Sequence, residues 1–417
     1  MKVLQVNEHY APVGGAEQYI NNVSAHLERR GITVAVLYAV QTAQDFQVPG
    51  REEVHLAWLL KESGFNQSKR FQRIRQVIED LNPDVIQVHN LYEPDVLALL
   101  TELRPTIQFV HTQSFRVCPG EGKFYKRTHE ICYRPFGPYC LIAPYLHRCA
   151  SQRPWRIASH YVRVRGWLNV APRLEKLMVA SRYMRLELIA VGIATDHIVV
   201  NPIGVEMEAG SESSSRTPQD APTVLFVGRM YELKGPQYLL AALEQLDVPC
   251  HVVFVGDGAD VERLKQAAGQ LSPRHTVEFT GWIGQDEVQR YYQQARVVVV
   301  PSVWPEPFGM VGVEALKYGK PVVAFDVGGV SDWLKDGDNG FLVAPKDTSG
   351  LAAAIKRILV SPELADAMGR HAQALAVAQF NIERHIDTLL GVYEGAVNEP
   401  PRRQERPDAK NLLAFWR

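Results

Sequence analysis

Residues 301–319 read PSVWPEPFGMVGVEALKYG, and the fold follows from what stands on either side of them. Upstream, residues 295–300 are a valine-rich apolar run of the length of a buried parallel strand, and residues 321–325 are another. The stretch between them is expected to form a loop and a short crossover helix. Pro305 and Pro307 keep the loop extended, and Phe308-Gly309 opens a helix expected over 310–317. Glu306 then stands just ahead of the helix, and Glu314 a little over one turn inside it. Loops at this edge of an open α/β sheet gather ligands, because the first helical N–H groups are unpaired and carry partial positive charge. Two carboxylates there would accept hydrogen bonds from sugar or ribose hydroxyls, leaving the free amides for phosphate or sugar oxygens.

Working outward, the same strand-loop-helix pattern recurs. Strand 223–227 ends in Gly228-Arg229, and Lys234-Gly235-Pro236 opens a helix to about 246. A guanidinium and an ammonium that bracket a loop at the sheet's ligand edge suit a diphosphate. Strands are expected at 251–256 and 277–281, with Trp282-Ile283 after the latter, then Gly328-Gly329 as a turn and a last strand at 340–343. Helices over 348–360 and 362–380 complete this half.

The first half alternates likewise. Strands are expected at 2–6, 32–38, 54–60, 84–89, 106–111, 176–180 and 197–200, and helices at 16–30, 69–81 and 182–190. Gly14-Gly15 lets a ligand approach the backbone where the helix at 16 begins, without the spacing of a dinucleotide fingerprint. His111 and, more weakly, His89 close strands at the ligand edge.

Glu306 and Glu314 form an E-x7-E pair in a stretch that resembles the EPFGxxxxEA signature of family 4 retaining glycosyltransferases. Gly228, Arg229, Lys234 and Gly235 resemble the G-R-x4-K-G pattern of the same family. The resemblance covers nearly the whole chain and implies an α/β protein of the GT-B fold, two Rossmann-like domains facing each other across a cleft. The implied division is an acceptor-side domain at 1–205, with an insertion at about 113–174, and a nucleotide-sugar domain at 206–380. A helix at 381–396 would return to the first domain, ahead of a tail at 397–417. The implied reaction carries a sugar from a UDP- or GDP-sugar to a hydroxyl of a glycan or lipid-linked acceptor, with retention and with no cofactor or metal. His111, Arg229, Lys234 and Glu306 take the catalytic roles, and Gly14, Gly15, Gly228, Ile283, Phe308, Gly309, Met310, Val311 and Glu314 hold the donor. After His111 the family carries aspartate, where this chain has Thr112. A nucleotide-sugar epimerase on the same fold, or an inactive nucleotide-sugar-binding protein, stay open as alternatives.

Composition bounds these readings. A chain of 417 residues with 46% hydrophobic content exceeds one ordinary core. It has no apolar run long enough to span a membrane and no signal peptide at Met1, so a cytoplasmic location is expected. A formal net charge of -1 argues against a general polyanion binder such as a nucleic-acid protein. The charge is uneven, however, with 15 Lys and Arg against three acids between Arg104 and Arg185. Aromatic residues crowd the same span, and residues 159–168 look like a surface helix. A mixed basic and aromatic surface suits an anionic membrane face or a glycan, though solvated arginines alone would also account for it. Cys118, Cys132, Cys140 and Cys149 lie in this span too. Their spacing lacks the paired knuckles of structural zinc sites, which leaves a zinc site or four reduced thiols, and Cys250 reads as core.

Overall fold

The computed structural model describes residues 1–11, 14–41, 48–60, 66–120, 122–207 and 221–398. The stretch 208–221, expected from its Ser-, Glu- and Pro-rich sequence to be an exposed linker, and the tail beyond 398 fall almost wholly outside the described residues.

Two parallel sheets carry the chain. The first holds β1 (Lys2–Tyr10), β2 (Thr33–Gln41), β3 (Glu52–His55), β4 (Val85–Val88) and β5 (Thr106–Phe109). A hairpin of β6 (Phe124–Tyr125) and β7 (Glu130–Ile131) intervenes before β8 (Leu177–Val179) and β9 (Ile198–Val200) rejoin it. The second sheet holds β10 (Thr223–Val227), β11 (His251–Val255), β12 (Thr276–Gly281), β13 (Val297–Val300), β14 (Val322–Phe325) and β15 (Gly340–Val343). The orders are β3-β2-β1-β4-β5-β8-β9 and β12-β11-β10-β13-β14-β15. In both sheets the order reverses beside the first strand, so a ligand crevice opens at the carboxyl ends of β1 and β4 and of β10 and β13. The central strands of both sheets are apolar because helices cover both faces, as the fully buried run Val297–Val300 shows.

The last helix, Ile382–Asn398, leaves the second sheet and packs on the first. It buries Ile382, Ile386, Leu389 and Tyr393 beside the helix Gly15–Arg29 and strands β4 and β5. The Tyr393 hydroxyl donates to Gln87, and the Tyr19 hydroxyl lies 2.9 Å from Nε2 of His385. The crossing into this helix is held by Val205, whose N–H donates to Phe380 at 2.7 Å and whose carbonyl accepts from Ile382 at 3.1 Å.

Two local expectations are corrected. β1 runs four residues past Val6, because parallel pairing with β2 continues through Tyr10 and Gln41 despite polar Asn7, Glu8 and His9. The Asn7 and Glu8 carboxamide and carboxylate are occupied in turn, accepting the N–H groups of Asn90 and Tyr92 at 2.9 and 2.8 Å. The strand expected over 54–60 is only Glu52–His55, and the chain then turns through a 3-10 helix, Ala57–Leu59. That turn leaves carbonyls without ladder partners, and buried Arg70 supplies them, donating to Trp58 and Leu59 at 2.7 Å each.

Candidate functional site

The site begins at Gly235. Its φ of 76° lies in the left-handed region, and a Cβ there would stand 1.8 Å from the Pro301 carbonyl oxygen. Glycine therefore lets the loop after β10 press onto the loop after β13. Val303 N–H and the Ser302 hydroxyl both donate to the Leu233 carbonyl, at 3.0 and 3.1 Å, and stitch the two loops together. Lys234, next in the chain, then reaches Glu306: Nζ and Oε1 are 2.6 Å apart. The carboxylate side chain is 5% exposed and the ammonium 26%, so the pair sits at the wall of the crevice with its positive end outward. The ammonium also stands over the Trp304 ring at 5.6 Å. Arg229, exposed at the end of β10, stacks on Tyr231 at 5.0 Å.

Gly309 caps the helix Met310–Lys317 with a φ of 89°, which turns the chain sharply from the extended Pro305–Pro307 segment into the helix. A buried tryptophan sets the position of that helix. Trp333 Nε1 donates to the Phe308 carbonyl at 2.6 Å, and its ring lies so close that a Cβ on Gly312 would stand 2.0 Å from it. Phe308 itself is 3% exposed and meets Phe380 edge-on at 5.8 Å. The side chain of this expected donor contact belongs to the core, which leaves its main chain to face a ligand. Met310 and Val311 are partly buried in the first turn, where amides have no intrahelical acceptor. Glu314 accepts the Tyr292 hydroxyl at 2.9 Å, and burial raises its carboxyl above the usual range against the lowering effect of that hydrogen bond.

Gly228 follows β10, and its carbonyl oxygen would stand 2.1 Å from a Cβ on Gly256, so the turns after β10 and β11 touch. Beyond them a cavity of about 370 Å³ is lined by Gly256, Asp257, Gly258, Lys265, Phe279 and Gly281. Ile283 packs partly buried against the core two residues past the end of β12, and Trp282 beside it is 69% exposed.

The first domain meets this edge through its own strand-end loops. Gln113 Nε2 donates to the Pro305 carbonyl at 2.7 Å, the Ser181 hydroxyl donates to the Pro307 carbonyl, and the Arg182 N–H donates to Asp332. Trp304 Nε1 donates to the Gly122 carbonyl at 2.9 Å. The carbonyls on either side of Glu306 are thus fixed from the opposite domain.

His111 follows β5 and is half-buried, with Nε2 3.0 Å from Nδ1 of His89, whose own Nε2 lies 2.7 Å from Gln5. Burial, with His385 and Arg116 nearby, pushes the His111 imidazole down to about 3, so it is neutral at pH 7. His89 is 1% exposed and orients its neighbour rather than facing the crevice. Gly14 caps the helix Gly15–Arg29 with a φ of 122°, and it and Gly15 are exposed at the helix start.

Sequence reasoning missed Gln113, Ser181, Trp304 and Trp333. Ser181 had a local signal, since it caps the helix Arg182–Ala190 by accepting the Met184 N–H at 3.1 Å, but its contact across the cleft did not. The expected surface helix is Pro154–Val170, which turns Ile157, Val164, Trp167 and Val170 inward: Trp167 is 1% exposed and donates to Gln108 at 2.8 Å. The five cysteines are free thiols. Among the described residues no group of three or more His, Cys, Asp or Glu is found that could hold a metal ion. Burial and the neighbouring thiols push Cys149 up to about 12, where the protonated thiol is unreactive.

Two family models and several known proteins are similar to the chain. Residues 13–209 match the model of Glycosyltransferase Family 4, and residues 211–375 match that of Glycosyl transferases group 1. An α-D-kanosaminyltransferase of Streptomyces kanamyceticus is 33% identical over 177 residues, 42% of this chain and 46% of that protein. A D-inositol 3-phosphate glycosyltransferase of Geodermatophilus obscurus is 34% identical over 235 residues, 52% of this chain and 51% of that one. The chain thus spans about half the length of these curated relatives. In fold it is similar to a glycosyltransferase of Rickettsia africae (TM-score 0.72, 18% identity, covering 96% of this chain and 99% of that one). It is similar also to HepE of Anabaena, solved in complex with UDP (TM-score 0.71, 20% identity, 95% and 100% covered).

Proposed function

The chain belongs to the group 1 glycosyltransferases of family 4, with the GT-B fold, and from that premise we propose that it transfers a sugar, with retention, from a UDP- or GDP-sugar to a hydroxyl of a glycan or lipid-linked acceptor. The observation that carries the reading is the Lys234–Glu306 pair at the wall of the crevice, beside Arg229 and the amides that open Met310–Lys317.

The barrier in such a transfer is departure of the nucleoside diphosphate. Arg229 and the helix N-terminus are positive before the donor arrives and meet the growing pyrophosphate charge, Lys234 adds its charge once it leaves Glu306, and no metal is needed for that task. Lys234 has to turn from Glu306 toward the phosphates. Glu306, fixed through its flanking carbonyls, then accepts hydroxyls of the sugar. Glu314 accepts the ribose hydroxyls, and the base is held at the end of β12, where Gly281 lines the cavity and Ile283 follows two residues on. On the facing domain His111, being neutral, binds sugar hydroxyls without adding a charge that would compete for the diphosphate; Gly15, with open space beside it, lets the donor approach a second helix start, whereas the Glu17 carboxylate fills the space over Gly14.

A screen of UDP- and GDP-sugars read by released nucleotide, with the anomeric configuration of the product followed by NMR, tests the reading. Turnover that depends on an acceptor, survives chelator and retains configuration is expected. Epimer formation without an acceptor, or tight nucleotide binding with no turnover of any donor, would replace it with one of the alternatives.

A further inference from the structure

The insertion between β5 and β8 carries a surface that the site does not use. Thirteen large apolar side chains are exposed among the described residues, and six of them fall between Tyr133 and Trp155: Tyr133, Leu141, Ile142, Tyr145, Leu146 and Trp155. Trp155 is 66% exposed, Ile142 56% and Tyr133 78%, far beyond what a solvated loop needs. Residues 122–156 also carry seven Lys or Arg against one acid, Glu130, in a chain whose formal net charge is -1.

These residues are held by a built scaffold. Tyr125 stacks on His147 at 4.0 Å, Tyr139 bonds the same imidazole at 2.7 Å, and Arg127 N–H donates to the His147 carbonyl at 3.1 Å. The 3-10 turn Pro138–Leu141 packs on Pro154–Val170, with Phe136 and Tyr161 at 4.7 Å. Basic heads are set against rings: Arg134 lies over Tyr139 at 4.6 Å and Arg153 over Trp155 at 5.9 Å.

We propose that this face of the insertion, centred on Ile142, Leu146 and Trp155 and ringed by Arg134, Arg148, Arg153 and Arg156, docks the enzyme on an anionic phospholipid bilayer. Aliphatic tips and a tryptophan enter the interfacial layer, and arginines beside them meet the phosphates, the pairing by which amphipathic surfaces bind anionic lipid. The remainder of the chain, with 38 Lys and Arg against 45 acids, is net acidic and supplies no competing attraction, so binding is local to this face. Among the described residues no helix is long and apolar enough to cross a membrane, so the contact is peripheral.

The position of the insertion connects the surface to chemistry. Its Gly122 carbonyl receives Trp304, whose ring lies under Lys234, and His129 of β6–β7's turn is 2.9 Å from Glu232 in the Lys234 loop. The insertion that docks on the bilayer thus also touches the Lys234 loop, which would bring a lipid-linked acceptor to the crevice's side of the molecule. That use of the surface rests on the glycosyl-transfer reading; the docking itself does not.

Flotation of the full chain with vesicles of phosphatidylcholine alone, and of phosphatidylcholine with phosphatidylglycerol, tests the proposal. Binding to the anionic vesicles at low salt, weakened by added salt, is expected. The variant Arg153→Glu/Arg156→Glu should lose at least roughly fivefold in partitioning per arginine, the weight of one basic residue at an anionic surface. Ile142→Ser/Leu146→Ser/Trp155→Ser should abolish binding. Both variants should keep the wild-type melting temperature and nucleotide binding, which separates this claim from the transfer reading. Absence of flotation at low salt, flotation that both variants leave unchanged, or a concentration-dependent dimer lost in the variants without lipid binding would each overturn it.

Discussion

The two domains present opposite faces to one crevice. The second domain offers charge: Arg229, the Lys234–Glu306 pair at 2.6 Å, and a helix opened by Gly309. The first offers neutral polarity: His111, held down to about 3, against His89 and Tyr19, with Gln113 and Ser181 reaching across to the main chain of the charged loop. The division assigns work. On the proposed transfer, a diphosphate would meet the positive groups, while the sugar and acceptor would meet hydrogen bonds that do not pull the departing charge to the wrong side.

The largest effect should come from the charged face. Lys234→Ala is expected to lower kcat by about 10²- to 10³-fold, the usual cost of removing one preorganised donor of charge stabilisation. It also leaves Glu306 buried and unpaired, so Lys234→Ala should melt lower than Lys234→Ala/Glu306→Gln while both stay inactive, which differential scanning fluorimetry and turnover together would show. Equal melting of the two would mean the pair contributes nothing to the resting structure. His111→Ala on the neutral face should cost less, on the order of tenfold at most in kcat, since a neutral hydrogen bond carries less than an ionic one.

That contrast marks what the sequence could and could not disclose. Glu306, Glu314, Arg229 and Lys234 are legible because strand, turn glycine and helix start are all local, so spacing alone brings them to one edge. Nothing local says that Lys234 closes on Glu306, or that Gln113 reaches Pro305 across 192 positions. The neutral cluster is harder still, since Tyr19 and His385 meet across 366 positions only because the last helix returns. The helix Pro154–Val170 was legible as a surface helix, but not which of its rings turns inward. Its arginines and aromatics mix on all sides, and only tertiary packing decides that Trp167 goes inward while Trp155 stays out.

A steric change should come next in size. Gly312→Val places a branched side chain against Trp333, whose ring would already lie 2.0 Å from a Cβ, and overpacking of this kind costs about 1–3 kcal/mol. The denaturation midpoint should fall, and the Met310–Lys317 start should shift enough to weaken nucleotide binding with it.

Acid should act on the neutral face. His385 is pushed down to about 4 by burial, so the folded protein resists a proton that the unfolded chain accepts below about 6.5. Stability from this group is complete above that range and drains away as the pH falls toward 4. His111 acts in the same direction, with its loss running lower still. Melting temperature against pH should decline below 6.5, and the slope should lessen in His385→Gln. Ser181→Ala removes one bond between the domains together with the cap of the helix Arg182–Ala190, about 2 kcal/mol in all, and should raise KM for the donor more than it lowers kcat.

Calorimetric titration of UDP and GDP into wild type and Lys234→Met bears most directly on the claim that the diphosphate is caught by the charged face. One nucleotide should bind the wild type, and its affinity should drop at least tenfold in Lys234→Met, with fold and melting cooperativity kept. Unchanged affinity for that nucleotide in a folded Lys234→Met protein would contradict the account.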